Sequence, residues 1–471
     1  MKKIVALWGK YAEENPRTIL LFILLTAVLL RLAFCLPGLL SGSEKRYWRP
    51  DSDFYMQAAG SLARGEGYPG SIRAPGFSAA AAGCLKLTGK PLSICLFFAV
   101  TGGLAALFVY LAGKTYADQK TGLLASAFYA LNLTAVVNAP MLLSDTFFGI
   151  MTALQLWFFV LFWKKGRFYG LVLSVTAAAL GTLIRPINLL WFLPVLFLLV
   201  LHPGTTWKKK LSGAVLLLLI FWGIISPWMV RNASRGAGFC IDVNTGAMLH
   251  QNGAMLLAEV NRTGFEEEKA KMISQLDQLF TDKTRFPDEK SKVDFRKKAY
   301  TRLILQHPFI WLKQQFQWKI LLPDVPTGFE LLGLTSSGRG TMGVLAKEGL
   351  WKALDHYFNG KPFMPLLFLP LLLPVLLTYA GCLLKLFLDL KGIKKHFFEL
   401  LVFLAFAEYY LFLPGAITAP RYQIPALPVI CVLAAAAWTA LLRRPGSENG
   451  TSQERSPALS DREEAASRLD H

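Results

Sequence analysis

TILLFILLTAVLLRLAFCLP (residues 18–37) is followed, after a short polar stretch, by PDSDFY (residues 50–55). The first segment is 20 residues of almost unbroken apolar sequence, long enough to cross a bilayer as one helix. The second holds two carboxylates, Asp51 and Asp53, in a loop too long to be a mere connector. Met1-Lys2-Lys3 ahead of the apolar run resembles a signal sequence. The run is too long for such a segment and no small-residue cleavage site follows it, which predicts a retained first helix.

The rest of the chain extends this pattern. Of 471 residues 54% are hydrophobic and only 17% charged, where a soluble protein carries about 25%. Mean hydropathy is +0.40. The apolar excess lies in runs at 18–37, 91–113, 123–139, 145–163, 168–184, 187–201, 211–230, 362–388, 397–413 and 423–442, about ten spans in all. Proline in the eighth and tenth runs (Pro365, Pro370, Pro374, Pro425, Pro428) predicts kinks that neighbouring helices can tolerate. The fold class expected is therefore an all-α polytopic membrane protein. The formal charge of +19 does not point to nucleic acid, because excess Lys and Arg in such a chain marks cytoplasmic loops. The six cysteines form no CxxC pair, and His250, His307 and His356 form no ligand motif, which argues against a zinc or redox centre.

Loop charge sets an orientation. With a cytoplasmic N-terminus, the inner loops are Lys114…Lys120, Lys164-Lys165-Gly166-Arg167, Lys208-Lys209-Lys210, Lys391…Lys395 and Arg443-Arg444, all basic. The short outer connections carry few charges, as the positive-inside rule requires. The organisation expected is an N-terminal membrane module (1–230) with a first outer loop (41–90), an extracytoplasmic insert (231–361), C-terminal membrane helices (362–444) and a disordered cytoplasmic tail (445–471). In the first loop, 52–64 and 74–87 read as surface helices. In the insert, 261–280 and 288–306 read as charged helices and 335–341 as a Gly/Ser-rich turn.

This topology brings distant residues to one boundary. Asp51, Asp53 and Arg73 lie in the first outer loop, Asp145 begins span four, Arg185 ends span five, Arg231 ends span seven, and Arg421 begins span ten. Ionisable groups near membrane depth are costly unless paired or used. Arginines and carboxylates gathered there predict a polar cavity for an anionic, membrane-embedded ligand, since a guanidinium donates two hydrogen bonds to a phosphate. Each residue also has a plainer reading. Asp51 and Ser144-Asp145 can be helix caps, Asp53 a first-turn acid, the arginines headgroup ligands, and Tyr55 and Tyr422 members of an aromatic belt.

Six short motifs, in order, resemble the GT-C membrane glycosyltransferases, in the branch of protein O-mannosyltransferases and bacterial lipid A aminoarabinose transferases. They are Asp51-Ser52-Asp53-Phe54-Tyr55 with Ala58, Leu62 and Gly65; Arg73-Ala74-Pro75-Gly76-Phe77; Ser144-Asp145; Leu183-Ile184-Arg185-Pro186; Pro227-Trp228-Met229-Val230-Arg231-Asn232; and Arg421-Tyr422-Gln423-Ile424-Pro425-Ala426-Leu427-Pro428. Where Asp-Glu members of the family carry Glu, this chain has Ser52, which leaves open whether Asp53 supplies a second carboxylate. The resemblance implies a GT-C-like bundle of about ten spans with a mostly helical extracytoplasmic insert. It implies sugar transfer from a polyprenyl-phosphate donor to an acceptor outside the bacterial cytoplasmic membrane, facing the periplasm or exterior. Asp51, or Asp53, would be the catalytic base. Arg185 and Arg421, with Arg73 and Arg231, would bind the donor phosphate, and Tyr55 and Tyr422 would line the substrate. Asp145 would orient the acceptor or hold a divalent metal ion. Two other classes use similar residues: a transporter or flippase of lipid-linked sugars, and an O-antigen ligase or polymerase.

Overall fold

The computed structural model describes residues 14–70, 73–202, 205–243, 249–335, 341–358, 360 and 363–442. The tail expected from residue 445, Arg443-Arg444 and residues 336–340 of the Gly/Ser-rich turn lie outside these. Among the described residues the chain is helical, without a strand. Six helices are long and apolar enough to cross a membrane: Pro16–Ser41, Leu92–Tyr116, Asp145–Lys165, Trp207–Ser234, Leu366–Lys391 and Pro420–Leu442. The protein is thus all-α and multi-pass.

The other four expected spans are shorter or broken. The run at 123–139 splits at Asn132, whose backbone is extended (ψ 115°) and whose side chain accepts from Ala135 N at 3.0 Å, so that Gln119–Leu131 ends and Leu133–Val137 begins. The run at 397–413 becomes Ile393–Phe403, a π-helical turn at Leu404–Glu408, and Tyr409–Phe412. Phe168–Thr182 and Pro186–Leu201 are short apolar helices. Pro374 sits inside Leu369–Lys391, and Thr378 Oγ1 donates to its carbonyl at 2.7 Å.

The last span is the central pole. In its most apolar window 83% of residues are buried, against 22% for the first span, which lies at the edge. Without a hydrophobic drive between helices in lipid, close approach through small residues supplies the contact. Ala434–Ala437 provide that on the last helix, and Thr439 Oγ1 shares a 2.9 Å hydrogen bond with Thr121 Oγ1. Against it, Gly381 of the preceding span lets Trp438 lie so close that a Cβ there would collide with the indole Nε1. That indole N–H donates to Leu377 O at 2.9 Å.

Arg31 belongs to the same logic and was not singled out by the sequence. It is 1% exposed within the first span. Its guanidinium donates to Ala130 O (3.2 Å) and Tyr129 O (3.4 Å), carbonyls freed where Gln119–Leu131 stops at Asn132. A cation at a helix C-terminus satisfies orphan acceptors and the negative end of the helix dipole together.

The first loop forms helices Ser52–Ala63 and Gly76–Thr88, close to expectation. The insert contains Phe265–Leu279 and Glu289–Gln306, the latter capped by Asp288 through Ser291 N at 2.8 Å. Phe329 and Phe358 of its later part belong to the same buried apolar cluster as Tyr47, Tyr55 and Phe77 of the first loop. All six cysteines are free. The Gly381 contact is testable. Gly381→Ala should lower the midpoint of thermal unfolding in detergent by the equivalent of about 1–3 kcal/mol. In a Trp438→Ala background the same change should cost much less, a coupling that additive penalties would contradict.

Candidate functional site

The helix Ser52–Ala63 begins at Asp51, which occupies the cap position but makes no side-chain cap bond. Its carboxylate instead receives Arg73 Nη2 at 2.7 Å and faces Arg421 Nη2 at 3.8 Å. Ser52 explains the position of this helix end: it is fully buried, accepts Arg49 N at 2.9 Å and donates to Leu142 O at 2.9 Å. The residue that departs from the family's Glu therefore ties the first loop to the turn that leads into Asp145. Asp53, one helical step on, lies on the exposed outer face and accepts Trp48 Nε1 at 2.8 Å. Helix phase alone separates the two carboxylates.

Asp145 starts the helix Asp145–Lys165 with a side chain only 5% exposed. It is hydrogen-bonded by Arg185 Nη1 and approached by Arg421 Nε at 3.7 Å. Ser144 likewise makes no cap bond, and its hydroxyl pairs with Tyr55 OH at 3.1 Å. The capping reading of both acids therefore fails on geometry. Arg185 lies on extended backbone (φ −139°, ψ 120°) because Pro186 follows and disfavours the helical conformation. Arg421 lies in the 3-10 turn Pro420–Ala426 that opens the last span. Tyr422 sits under both cations, with its ring centroid 5.2 Å from the Arg185 guanidinium and 5.3 Å from that of Arg421. Arg73 lies over Phe54 and Tyr55 at 5.4 and 5.8 Å.

The structure thus gathers Asp51, Arg73, Asp145, Arg185, Arg421, Tyr55 and Tyr422. It places Asp53 on the outer face and Arg231 elsewhere. Arg231 donates to Gly70 O at 2.7 Å and to Tyr68 O, and stacks on Trp228 at 4.5 Å. There it joins the first loop to the end of Trp207–Ser234.

Close backbone approach holds the cluster together. Gly76 N donates to Leu183 O at 2.7 Å, which joins the Arg73 loop to the turn before Arg185. A Cβ at Gly76 would lie 2.6 Å from Ile184 and 2.8 Å from that carbonyl. Gln423, fully buried, donates to Ile320 O (2.8 Å) and Leu322 O (3.0 Å) of the insert. Asp324, two residues further on, accepts Asn138 Nδ2 at 2.8 Å, and the Asn138 carbonyl accepts Thr146 Oγ1 at 3.1 Å. One short strap of the insert therefore touches neighbours of both Arg421 and Asp145. Gln423, Asn138, Asp324 and Ser52 were not singled out as functional in the sequence. For Asn138 and Gln423, polarity within or at the start of an apolar run was the available signal; Ser52 and Asp324 lie in the outer loops and offered none.

Three guanidinium groups against two carboxylates leave a net positive charge. The Nε atoms of Arg73 and Arg421 are buried without a hydrogen-bond acceptor. The nearest carboxylate oxygens lie 3.7 and 3.8 Å from Arg421, within charge range but beyond a hydrogen bond. The set fits an anion. A divalent cation between the carboxylates would have to displace Arg421, which stands over Asp51 Oδ2 and Asp145 Oδ2, the two oxygens that Arg73 and Arg185 do not occupy. A second group, Asp389, His396 and Glu399, brings potential ligand atoms within 4.8 Å of one another. It lies at the opposite, lysine-rich end, where Lys164 and Lys385 already hold Glu399 at 2.8 and 3.3 Å.

Residues 72–230, a third of the chain, match the family described as dolichyl-phosphate-mannose-protein mannosyltransferase. The matched stretch runs from Arg73 through Asp145 and Arg185 and ends just before Arg231. Over that third, the chain is similar to a family of glycosyltransferases. No protein of curated function matches it. Among solved structures, it is similar to the oligosaccharyltransferase of Archaeoglobus fulgidus tethered to an acceptor peptide, at 15% identity and a TM-score of 0.49. It is similar, at 14% identity and the same TM-score, to the archaeal oligosaccharyltransferase AglB from that organism in complex with an inhibitory peptide and a dolichol-phosphate. Both matches cover 92% of this chain and about half of the other. The chain thus spans about half the length of those enzymes.

Removing the Asp145 carboxylate should leave two half-buried cations under-compensated. Asp145→Asn should destabilise the protein by about 3–5 kcal/mol, read as a lower unfolding midpoint in detergent. Added polyprenyl phosphate should restore the variant more than it raises the wild type. Equal shifts for the two proteins would contradict an anion site at these arginines.

Proposed function

We propose that this protein transfers a sugar from a polyprenyl-phosphate donor to an acceptor hydroxyl at the extracytoplasmic face of a bacterial cytoplasmic membrane. The observation that carries the proposal is Arg421, poised between Asp51 and Asp145 with a buried, unaccepted N–H. A lipid-linked phosphate supplies the missing acceptor oxygens. Family membership of residues 72–230 supports the same donor class.

In this reading Arg185 and Arg421 hold the phosphate, and Arg73 keeps Asp51 in place. The acceptor oxygen attacks the anomeric carbon and its proton passes to the Asp51 carboxylate. The bond from the anomeric carbon to the phosphate oxygen breaks, and the lipid monophosphate leaves with the electron pair. Charge growing on that phosphate meets preorganised guanidinium groups in a water-poor site, where such stabilisation is strongest. Direct displacement inverts the anomeric centre. Asp145 orients Arg185 and Arg421. Asp53, facing outward, is the second choice of base. Tyr55 and Tyr422 form the walls on which a sugar can stack.

The lipid needs a path as well as a headgroup site. An apolar groove of about 460 Å³ begins at Leu190, at the end of the turn that Arg185 precedes. It runs between Pro194 and Phe197 on one side and Leu404 and Tyr409 on the other. Such a groove suits an isoprenoid chain. The insert above the strap supplies the remaining surface for the acceptor, whose identity and that of the sugar follow from residues other than this cluster.

The rival reading as a transporter of lipid-linked sugars needs the arginines but no base. With donor and acceptor supplied in proteoliposomes, Asp51→Asn should reduce transfer by about 10²–10⁴-fold while leaving retention of the lipid donor near the wild-type level. Asp53→Asn should reduce transfer far less. Transfer by Asp51→Asn at the wild-type rate would remove the base from this residue. Since no step uses a metal ion, a chelator should leave the rate unchanged.

A further inference from the structure

The insert carries an apolar face that the bundle leaves uncovered. It lies on helix Pro308–Gln315 and the turn that follows. Two faces divide along this segment. Trp311, Gln314 and Gln315, spaced three and four residues apart, turn inward. Gln314 donates to Met255 O and to Glu259 at 3.2 and 2.7 Å. Phe309, Leu312 and Phe316, at the complementary spacing, turn outward, and Trp318 continues them. They are 85%, 44%, 67% and 67% exposed. Aromatic side chains grouped in this way on a water-facing surface mark an interaction site.

The depth of the segment is fixed at two places. The Trp311 and Phe316 rings meet Phe412 edge-on, with centroids 6.4 and 5.3 Å apart. Phe412 is the last residue of helix Tyr409–Phe412, at the site end of the bundle. Two turns on, the carbonyls of Ile320 and Leu322 accept Gln423, in the first turn of the membrane span Pro420–Leu442. Residues 309–322 are therefore pinned level with the ends of membrane helices, where hydrocarbon meets headgroups. Lys319, exposed, and Lys313, exposed but paired with Glu259 at 2.7 Å, flank the aromatic face. Trp and Phe beside Lys is the composition that favours the interfacial layer, with cations toward anionic headgroups.

We propose that residues 309–318 lie in the outer interface of the bilayer, with Phe309, Leu312, Phe316 and Trp318 inserted among the lipids. The insert is then anchored to the membrane at a third place besides its two chain ends. Phe412, which the segment covers, also lines the apolar groove, so the anchored segment forms the lip of the groove. The inference rests on placement alone and holds whichever sugar, or none, is transferred.

Site-directed spin labelling of the full chain tests this, in vesicles of phosphatidylethanolamine and phosphatidylglycerol. The half-buried thiols are first removed as Cys84→Ser and Cys240→Ser. Nitroxides are placed at Phe309→Cys, Leu312→Cys and Phe316→Cys, and at Glu266→Cys as an aqueous reference. Glu266 is 79% exposed on its own helix of the insert. Oxygen, which concentrates in the bilayer, should relax the first three several-fold more strongly than a water-soluble nickel chelate does. At residue 266 the order should reverse. Chelate access at all three positions equal to that at 266 would overturn the proposal in favour of a water-facing surface. Shielding from both reagents would overturn it in favour of a protein partner or a second copy. Three positions on one face keep the test decisive if one label disturbs folding.

Discussion

One guanidinium between two carboxylates organises this molecule. Arg421 lies within 4 Å of both Asp51 and Asp145, and each acid is held by an arginine of its own. Three cations and two anions at the end of an apolar bundle form a costly arrangement unless the charges compensate one another. Here they compensate incompletely. The remaining positive charge and the unaccepted N–H groups of Arg73 and Arg421 give the site an appetite for an anion. We propose that this anion arrives from the membrane, along the apolar groove that Leu190 lines at the end of the turn after Arg185.

The surrounding fold serves to bring four separate stretches of chain to this point. The first loop arrives through the Gly76–Leu183 contact, which only a glycine permits, and through Ser52 on Leu142 O. The last span arrives with Gln423 bonded to the insert. The insert in turn reaches Asn138 through Asp324, next to the turn that presents Asp145. A hydrogen bond of this kind typically contributes about 1 kcal/mol, and somewhat more where the acceptor is a carboxylate. Each, however, joins segments more than 80 residues apart, so their effect is to fix geometry. An enzyme that works by preorganised charge depends on such fixation more than on any single contact.

Much of this was legible in the sequence. Long apolar runs and alternating loop charge set the multi-pass all-α architecture, and the placement of arginines and aspartates at span ends identified the cluster. What the sequence left open follows from physical causes. Which of Asp51 and Asp53 faces the arginines depends on helix phase relative to the bundle, and two acids two residues apart cannot be told apart without it. Arg231 carries the same residue type at the same boundary as Arg185, but its partners are the backbone carbonyls of Tyr68 and Gly70, which no side-chain pattern announces. Arg31 and Gln423 were missed for the same reason: they satisfy backbone carbonyls exposed by a broken helix or a tight strap, while Asp324 pairs with Asn138, 186 residues away. The break at Asn132 and the π-helical turn at Leu404–Glu408 shortened runs that hydropathy read as continuous, because hydropathy measures composition and not backbone hydrogen bonding.

The central claim is that Arg421 and its neighbours receive a lipid monophosphate. Native mass spectrometry of the detergent-solubilised protein, titrated with undecaprenyl phosphate against an equal concentration of undecaprenol, measures this directly. The account predicts one molecule of the phosphate retained by the wild type, the alcohol bound far more weakly, and the preference lost in Arg421→Ala. Equal retention of phosphate and alcohol, or a preference unchanged in Arg421→Ala, would contradict it.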